Sequence, residues 1–184
     1  MKNVLVISGH GNLSYSNANA RILKRLESEI GNVQIRDLAG LYGNQAIDVA
    51  TEQSALEQAD VIVFQYPMYW YSIPAILKRY FDDVFAYGFA YGAGGDKLHG
   101  KKVIFSYTVG GAEDGYNGEL FHHLDDLLAP LKDTAKFAGL VWQTPVHSSG
   151  MIYIPNVSSA DDLVQVQAKA DDHADRLIKQ IQSL

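Results

Sequence analysis

The chain has 184 residues, of which 47% are hydrophobic and 20% charged, and its formal net charge is -6. A chain of this length is expected to form one domain over residues 1–184, with a buried core. The negative charge and the lack of a basic stripe argue against nucleic-acid binding. The absence of cysteine excludes disulfides, thiolate metal sites and cysteine nucleophiles. No apolar run is long enough for an export signal or a membrane span, so we expect a cytoplasmic protein.

Segments typical of strands and helices alternate along the chain. Val4–Ile7 is a continuous apolar run, as in a strand that is buried on both faces. From Asn17 the apolar residues recur every four positions, which predicts an amphipathic helix. Ser72 is predicted to cap a later helix, with Pro74 in its first turn. Further strands are predicted at 33–38, 61–64, 103–107 and 140–147, and further helices at 48–59, 72–84, 121–137 and 159–181.

This alternation predicts an α/β fold. Right-handed crossovers then require a parallel sheet between two layers of helices. The two usual strand orders are the Rossmann and the flavodoxin types, and both place ligands at the carboxyl ends of the strands. We therefore expect the functional residues in the loops that follow Ile7, Phe64 and Tyr107.

The first of these loops, residues 8–17, is small and polar and leads directly into a helix. A helix start offers unpaired N–H groups and the positive end of a dipole, and the hydroxyls of Ser14 and Ser16 add donors. The Gly-x-Gly at its start resembles a dinucleotide fingerprint, and Asp37 lies where a ribose-binding acid is expected. A Rossmann-type NAD-dependent dehydrogenase is thus one alternative. However, Ser14 replaces the third fingerprint glycine, which favours a terminal monophosphate, as on FMN. An ordinary strand–helix turn is the other alternative.

The second loop, residues 65–74, is rich in aromatic residues. Rings near a strand end can form the wall of a site for a flat, conjugated ligand. Tyrosine and tryptophan also supply polar tips to such a site. Packing in the core or at a subunit interface is the alternative for these rings.

The third loop is the segment 108–111, Thr-Val-Gly-Gly. Paired glycines let the backbone approach a ligand closely and direct N–H groups toward it. Such donors could stabilise the negative charge that a flavin develops on its pyrimidine side. A plain turn is the alternative.

Together these motifs resemble the flavodoxin-like NAD(P)H:quinone reductases. The similarity is greatest to short bacterial members, which include ancillary oxidoreductases of glutathione-regulated potassium-efflux systems and general-stress reductases. The segments that carry the resemblance are His10 with 16–19, then 66–74, 89–92, 98–101 and 108–111. The resemblance implies a flavodoxin-like three-layer α-β-α sandwich whose five-stranded parallel sheet has the order 2-1-3-4-5.

The resemblance also implies a bound FMN. Its phosphate is expected to be held by His10, Ser16, Asn17, Ala18 and Asn19. Its isoalloxazine is expected to be held by Met68, Tyr69, Trp70, Tyr71, Thr108, Val109, Gly110 and Gly111. FMN is favoured over FAD because relatives that use FAD carry a longer carboxyl end.

The same resemblance implies a catalytic role for two further residues. Relatives place a tyrosine and a histidine beside the flavin, where they offset charge during hydride transfer, and Tyr116 and His122 fall at a similar spacing. The chain departs from the family pattern at Val109, where many relatives have threonine, and at 112–117, which is more acidic than usual.

The function that the resemblance implies is that of an FMN-dependent NAD(P)H:quinone oxidoreductase. NAD(P)H is the co-substrate, a quinone or similar small molecule is the acceptor, and the enzyme is a cytoplasmic homodimer. One alternative is a regulatory subunit of a glutathione-regulated potassium-efflux transporter, bound at the inner face of the membrane. An electron-carrier flavodoxin is another.

The remaining histidines predict no additional site. His122 and His123 are adjacent, so on a helix they point to different faces and cannot chelate one ion. No metal site is expected, and the lack of a Gly-x-Ser-x-Gly motif argues against an esterase. His147 is predicted to be a capped or surface histidine. His173 is predicted to be solvated on a charged face of the last helix.

Overall fold

Strands and helices alternate throughout the computed structural model, which describes residues 2–184. The strands are β1 (Val4–Ser8), β2 (Val33–Asp37), β3 (Val61–Pro67), β4 (Lys102–Thr108), β5 (Val141–Trp142) and β6 (Val146–Ser148). The helices are α1 (Asn19–Glu29), α2 (Leu38–Leu41), α3 (Val49–Gln58), α4 (Ala75–Val84), α5 (Leu124–Leu127), α6 (Ala129–Phe137) and α7 (Ala160–Ser183). Single turns of 3₁₀ helix lie at Leu13–Tyr15 and Glu113–Gly115.

The sheet is parallel throughout and has the order β2-β1-β3-β4-β5, with β6 also paired to β4. This confirms the predicted fold class and the flavodoxin order, and the Rossmann order is wrong for this chain. The register pairs Ser8 of β1 with Gln65 of β3, and Pro67 of β3 with Thr108 of β4. The carboxyl ends of the central strands therefore meet at one edge of the sheet, where the three loops begin.

The predicted fifth strand at 140–147 is wrong as a continuous element. It is divided into β5, which pairs with Lys102 and Val103, and β6, which pairs with residues 106–108 of the same strand β4. Pro145 lies in the gap. Because proline has no N–H to donate to the ladder, the chain leaves the sheet there and then returns to it.

Two helix predictions also need correction. The helix predicted at 121–137 begins only at Leu124 and is divided into α5 and α6, with Pro130 in the first turn of α6. Proline would remove a hydrogen bond inside a longer helix and would clash with the preceding turn. Ser72 does not cap α4, which begins after Pro74. The predicted cap of the last helix is confirmed, because the Ser159 hydroxyl accepts the Asp162 N–H at 3.1 Å in a capping box.

The two faces of the sheet have different cores. We call one the aromatic face, because Phe64 stacks on Phe105 at 5.1 Å between ring centres and Tyr66 stacks on Tyr107 at 5.8 Å. Helices α2 to α6 contribute to its core. We call the other the aliphatic face, which α1 and α7 cover with valine, leucine and isoleucine side chains. The aromatic rings of the aromatic face lie toward the carboxyl edge.

From Lys2 to Leu184, no helix has the length and apolar character that a bilayer crossing requires. Over the same residues, His, Asp and Glu side chains do not gather in threes as they would to ligate a metal ion.

Candidate functional site

A cavity of about 330 Å³ opens at the carboxyl edge of the sheet. It lies where the first loop and the start of α1 meet the loops that follow β3, β4 and β6. The lining residues are His10, Tyr15, Ser16, Asn17, Ala18, Asn19, Pro67, Met68, Tyr69, Thr108, Gly110, Met151, Ile152, Tyr153 and Val166. Three of these four loops, those that follow β1, β3 and β4, were predicted from the sequence to carry the functional residues.

Backbone hydrogen bonds join the loops around this cavity. The Met68 N–H donates to the Thr108 carbonyl at 2.8 Å, which fixes the second loop to the third. The Val109 N–H donates to the Ser148 carbonyl at 2.9 Å, and the Met151 N–H donates to the Val109 carbonyl at 2.9 Å. The walls are therefore held in place by the backbone, independently of the side chains that project from them.

The end of the cavity at α1 is rich in hydrogen-bond donors. The Nδ1 atom of His10 accepts the Asn12 N–H at 3.0 Å, so Nε2 carries the proton of the neutral ring. Burial lowers the pKa of His10 below its ordinary value, although the negative charge of Asp37 acts in the opposite direction. The ring is therefore neutral at pH 7. The Ser16 hydroxyl accepts the Ala20 N–H at 3.2 Å, which leaves its own proton for a ligand. Together with the N–H groups of the first turn of α1, these donors suit an anionic group.

Three buried polar side chains lie beneath the cavity. The Asn19 side-chain amide donates to the Thr108 hydroxyl at 2.9 Å, and the Gln65 amide donates to the Asn19 carbonyl oxygen at 2.8 Å. All three residues are at most 5% exposed. The Gln65 side-chain oxygen, Oε1, has no partner within residues 2–184. Gln65 was missed in the sequence, although a glutamine within an otherwise apolar strand was a usable signal.

The second loop forms a tight turn at the mouth of the cavity. The Tyr69 and Ser72 backbones exchange two hydrogen bonds, of 3.0 and 3.1 Å. Between them Trp70 and Tyr71 have φ values of 49° and 63°, as in the two central residues of a type I′ turn. This left-handed conformation costs roughly 1 to 2 kcal/mol for each non-glycine residue. The two backbone hydrogen bonds and the packing of Tyr71 on Phe121, at 5.6 Å between ring centres, offset part of that cost, whereas the Trp70 side chain is 93% exposed.

The structure brings together most of the residues predicted to hold the cofactor. Those that line the cavity are His10, Ser16, Asn17, Ala18, Asn19, Met68, Tyr69, Thr108 and Gly110. Trp70, Tyr71, Val109 and Gly111 do not line it, and Val109 is buried in the core. The role of each residue in binding stays a prediction.

The segment 151–153 was missed. It lines the cavity because it follows β6, whose end lies beside that of β4 at the same edge of the sheet. The end of the last predicted strand was thus the signal that could have identified it. Val166 of α7 also reaches the cavity from the aliphatic face.

Tyr116 and His122, the two residues predicted to be catalytic, do not line the cavity. Tyr116 is half-buried and adjoins the third loop, since a Cβ atom on Gly111 would lie 3.1 Å from its hydroxyl. Burial raises the pKa of Tyr116, so the phenol stays protonated. His122 is exposed, and it is His123 that lies 3.1 Å, through Nδ1, from the Tyr116 carbonyl. The catalytic roles stay predictions.

The prediction that His173 is solvated is wrong. This residue is fully buried between α7 and the sheet. Its Nε2 lies 2.7 Å from the Ser106 hydroxyl of β4, and its Nδ1 lies 3.0 Å from the Ser148 hydroxyl of β6. The sequence did contain the signal, because position 173 is three residues after Ala170 and four before Leu177 on the buried stripe of α7.

The environment of His173 keeps its ring neutral. Burial, and to a smaller extent the positive charge of Arg176, lowers the pKa of His173 to about 3. Arg176 also donates to the Ser148 hydroxyl at 2.8 Å and to the His147 carbonyl at 3.0 Å. His147 is half-buried and stacks on Tyr107 at 5.5 Å. These contacts fix α7 to β6, and so to the segment that lines the cavity.

Comparison with known proteins identifies the family. A family model described as a flavodoxin-like fold matches residues 2–175. The chain belongs to this flavodoxin-like family. The match covers the sheet, all four loops and most of α7, and it confirms the resemblance found in the sequence.

Several proteins with solved structures are similar to the chain over most of its length. General stress protein 14 from Treponema denticola, in complex with FMN, is 26% identical, with a TM-score of 0.82 over 96% of this chain and 98% of that one. An NADPH-quinone reductase from P. pentosaceus is 25% identical, with a TM-score of 0.71 over 92% and 98%. A thermophilic tryptophan halogenase from Streptomycin violaceusniger is 31% identical, with a TM-score of 0.78 over 92% and 96%. The activities named for these proteins differ, so the similarity establishes family and fold rather than substrate.

Proposed function

We propose that the chain is an FMN-dependent NAD(P)H:quinone oxidoreductase, which passes two electrons from NAD(P)H to a quinone. The observation that carries the proposal is the cavity at the carboxyl edge, with anion-binding donors at one end and an aromatic turn at its mouth. It is supported by the similarity to a protein in complex with FMN and to an NADPH-quinone reductase.

The residues of the cavity fit the chemical groups of FMN. Neutral His10, the Ser16 hydroxyl and the first turn of α1 provide donors for a phosphate without a cation that would need to be buried. Asn19 and Thr108 line the cavity beside these donors, and Gln65 beneath them holds the Asn19 side chain in place. Bound FMN would supply the two-electron redox chemistry, for which this chain has no cysteine pair.

The other residues orient and cover the bound group. Tyr69, in the turn at the mouth, provides a wall for a flat ring system, and the Gly110 backbone permits close approach. The protonated hydroxyl of Tyr116 is available to donate a hydrogen bond near Gly111 as negative charge develops. Two backbone hydrogen bonds between Tyr69 and Ser72 close the turn at Trp70 and Tyr71, so the fold itself orders this loop.

The activity is tested by anaerobic titration. The purified protein is loaded with FMN and treated with NADPH and then with menadione, while the flavin absorbance is followed. We expect the absorbance to fall with NADPH and to return with menadione. A protein that binds no FMN, or whose flavin absorbance is unchanged by both NADPH and NADH, would contradict the proposal.

The phosphate contact is tested with a pair of ligands that differ only in that group. His10→Leu should weaken FMN binding by about tenfold or more, because one hydrogen bond to a charged group is lost, and should leave riboflavin binding unchanged. Binding is measured by quenching of flavin fluorescence. His99→Leu is the control, since His99 is exposed and lies outside the cavity. An equal loss for the two ligands would mean that His10 does not contact the phosphate.

We also propose that the active form is a homodimer. Three large side chains at the mouth of the cavity support this, because Tyr15, Trp70 and Ile152 are 84%, 93% and 55% exposed. Exposed apolar groups around a pocket are typical of surfaces that a partner covers. Light scattering coupled to size-exclusion chromatography should give twice the chain mass, and Trp70→Ser should shift the equilibrium toward the monomer.

A further inference from the structure

A second cavity, of about 300 Å³, lies on the aromatic face between α4 and the α5–α6 pair. Its walls are mainly apolar and include Phe81, Phe85, Leu127 and Leu131. The Phe81 and Phe85 rings meet edge to face at 4.9 Å, so their planes are held by each other. A cavity of this size and lining is at the small end of the range for ligand sites.

One buried polar group lines this cavity without a partner. Tyr66 of β3 is fully buried, and its hydroxyl makes no hydrogen bond within residues 2–184. Burial raises the pKa of Tyr66 far above its usual range, so the hydroxyl is a donor at any physiological pH. Nearly all buried polar groups in proteins are hydrogen-bonded, so an unpartnered hydroxyl on a residue of the cavity lining is a candidate donor to an occupant.

The charges that line the cavity are balanced. Lys78 and Asp82 are the charged side chains of the lining, and they form an ion pair with each other one turn apart on α4. Because each of these charges is neutralised by the other, neither selects a charged ligand. The lining therefore favours an uncharged molecule.

We propose that this cavity is a second binding site, separate from the FMN site, for an uncharged aromatic molecule of one or two fused rings that accepts one hydrogen bond. The Tyr66 hydroxyl donates that bond, and the phenylalanine rings hold the ring system edge to face. Met68 lines both cavities, so it is the point where an occupant of one can affect the other. The site is formed by this chain's own side chains, and its existence does not depend on the redox activity proposed above.

The test is a titration of the full-length, isotope-labelled protein with 1-naphthol and with naphthalene, followed by NMR. Saturable shifts are expected for Phe81, Leu131 and their neighbours, and they should persist when the protein is saturated with FMN. Shifts that disappear on FMN addition would place the ligand in the first cavity and overturn the proposal. The absence of saturable binding would also overturn it.

Two variants separate the hydrogen bond from the packing. Tyr66→Phe should weaken 1-naphthol binding by about tenfold, the effect of one lost hydrogen bond, and leave naphthalene binding unchanged. Tyr107→Phe is the matched control, because its ring stacks on Tyr66 and its hydroxyl is also unpartnered, but it does not line the cavity. An equal change in 1-naphthol affinity for the two variants would rule out the role of Tyr66.

A third variant tests the cavity itself. Ala138 is buried in its lining, and Ala138→Leu fills part of the space. This variant should lose binding of both probes while its thermal unfolding stays cooperative. Undiminished binding in a folded Ala138→Leu protein would show that the ligand lies elsewhere.

Discussion

His173 on the aliphatic face and two tyrosines on the aromatic face are equally buried, but they differ in their hydrogen bonds. On the aliphatic face His173 is fully buried, and both of its ring nitrogens lie within hydrogen-bond distance of serine hydroxyls. On the aromatic face Tyr66 and Tyr107 are also fully buried, but their hydroxyls have no partner within residues 2–184. A satisfied group ties elements together, whereas an unsatisfied one retains its capacity to bond. His173 thus joins α7 to β4 and β6, whereas Tyr66 lies in the lining of the second cavity, where we propose that a ligand binds.

The largest effect on stability is expected from removing the imidazole of His173, which is hydrogen-bonded on the aliphatic face. His173→Leu should lower the free energy of unfolding by about 2 to 4 kcal/mol, because two hydrogen bonds are lost and the Ser106 hydroxyl is left buried without its partner. Urea unfolding followed by circular dichroism measures the change. His99→Leu, at an exposed site, should change stability by less than about 0.5 kcal/mol. A His173→Leu protein as stable as the parent would remove the distinction between the faces.

A smaller effect, taken per pH unit, is expected on acidification. The pKa of His173 is lowered from 6.5 to about 3 in the folded protein, so between these values the unfolded chain binds a proton that the folded one does not. Stability from this group is therefore complete above about pH 6.5 and falls as the pH drops toward 3, by up to about 1.4 kcal/mol per pH unit. Urea unfolding at a series of pH values should show a steeper acid loss in the parent than in His173→Leu. Parallel curves for the two proteins would contradict this assignment.

The smallest effect is expected on the aromatic face. Tyr107→Phe removes a hydroxyl that has no partner, so stability should be unchanged or should rise by up to about 1 kcal/mol. The midpoint of thermal unfolding measures it. A loss as large as that of His173→Leu would show that the Tyr107 hydroxyl is bonded in solution, and that the two faces do not differ in this respect.

The sequence was sufficient for the fold because the strands that determine it are strongly patterned. Apolar runs such as Val4–Ile7 have few alternatives to a buried strand, and their alternation with helices leaves few topologies. The breaks at Pro130 and Pro145 were missed, although proline has a local effect that can be stated in advance. Here the periodicity of the flanking residues was given more weight than the residue that interrupts it.

The candidate site was predictable in part for the same reason. Loops at strand ends follow from topology, so His10 and Thr108 were placed at one edge before their contacts were known. The segment 151–153 was not, because it depends on how the chain returns to the sheet after Pro145. The partners of His173 could not be predicted from the spacing of residues along α7 either, since Ser106 lies on strand β4, 67 residues away along the chain.

The contact between α1 and α7 has a consequence for synthesis of the protein. The two helices cover the same face, and they are joined by ion pairs such as Arg21–Asp171, between residues 150 positions apart. Until residues 160–183 have left the ribosome, only α1 can cover the valines of β1 and β3 on this face. The part of the face that α7 covers in the folded protein stays exposed to solvent. A nascent chain in that state exposes an apolar surface that favours aggregation or chaperone binding. Slow translation of the last helix should thus reduce the yield of folded protein, even though every strand of the sheet has already been made.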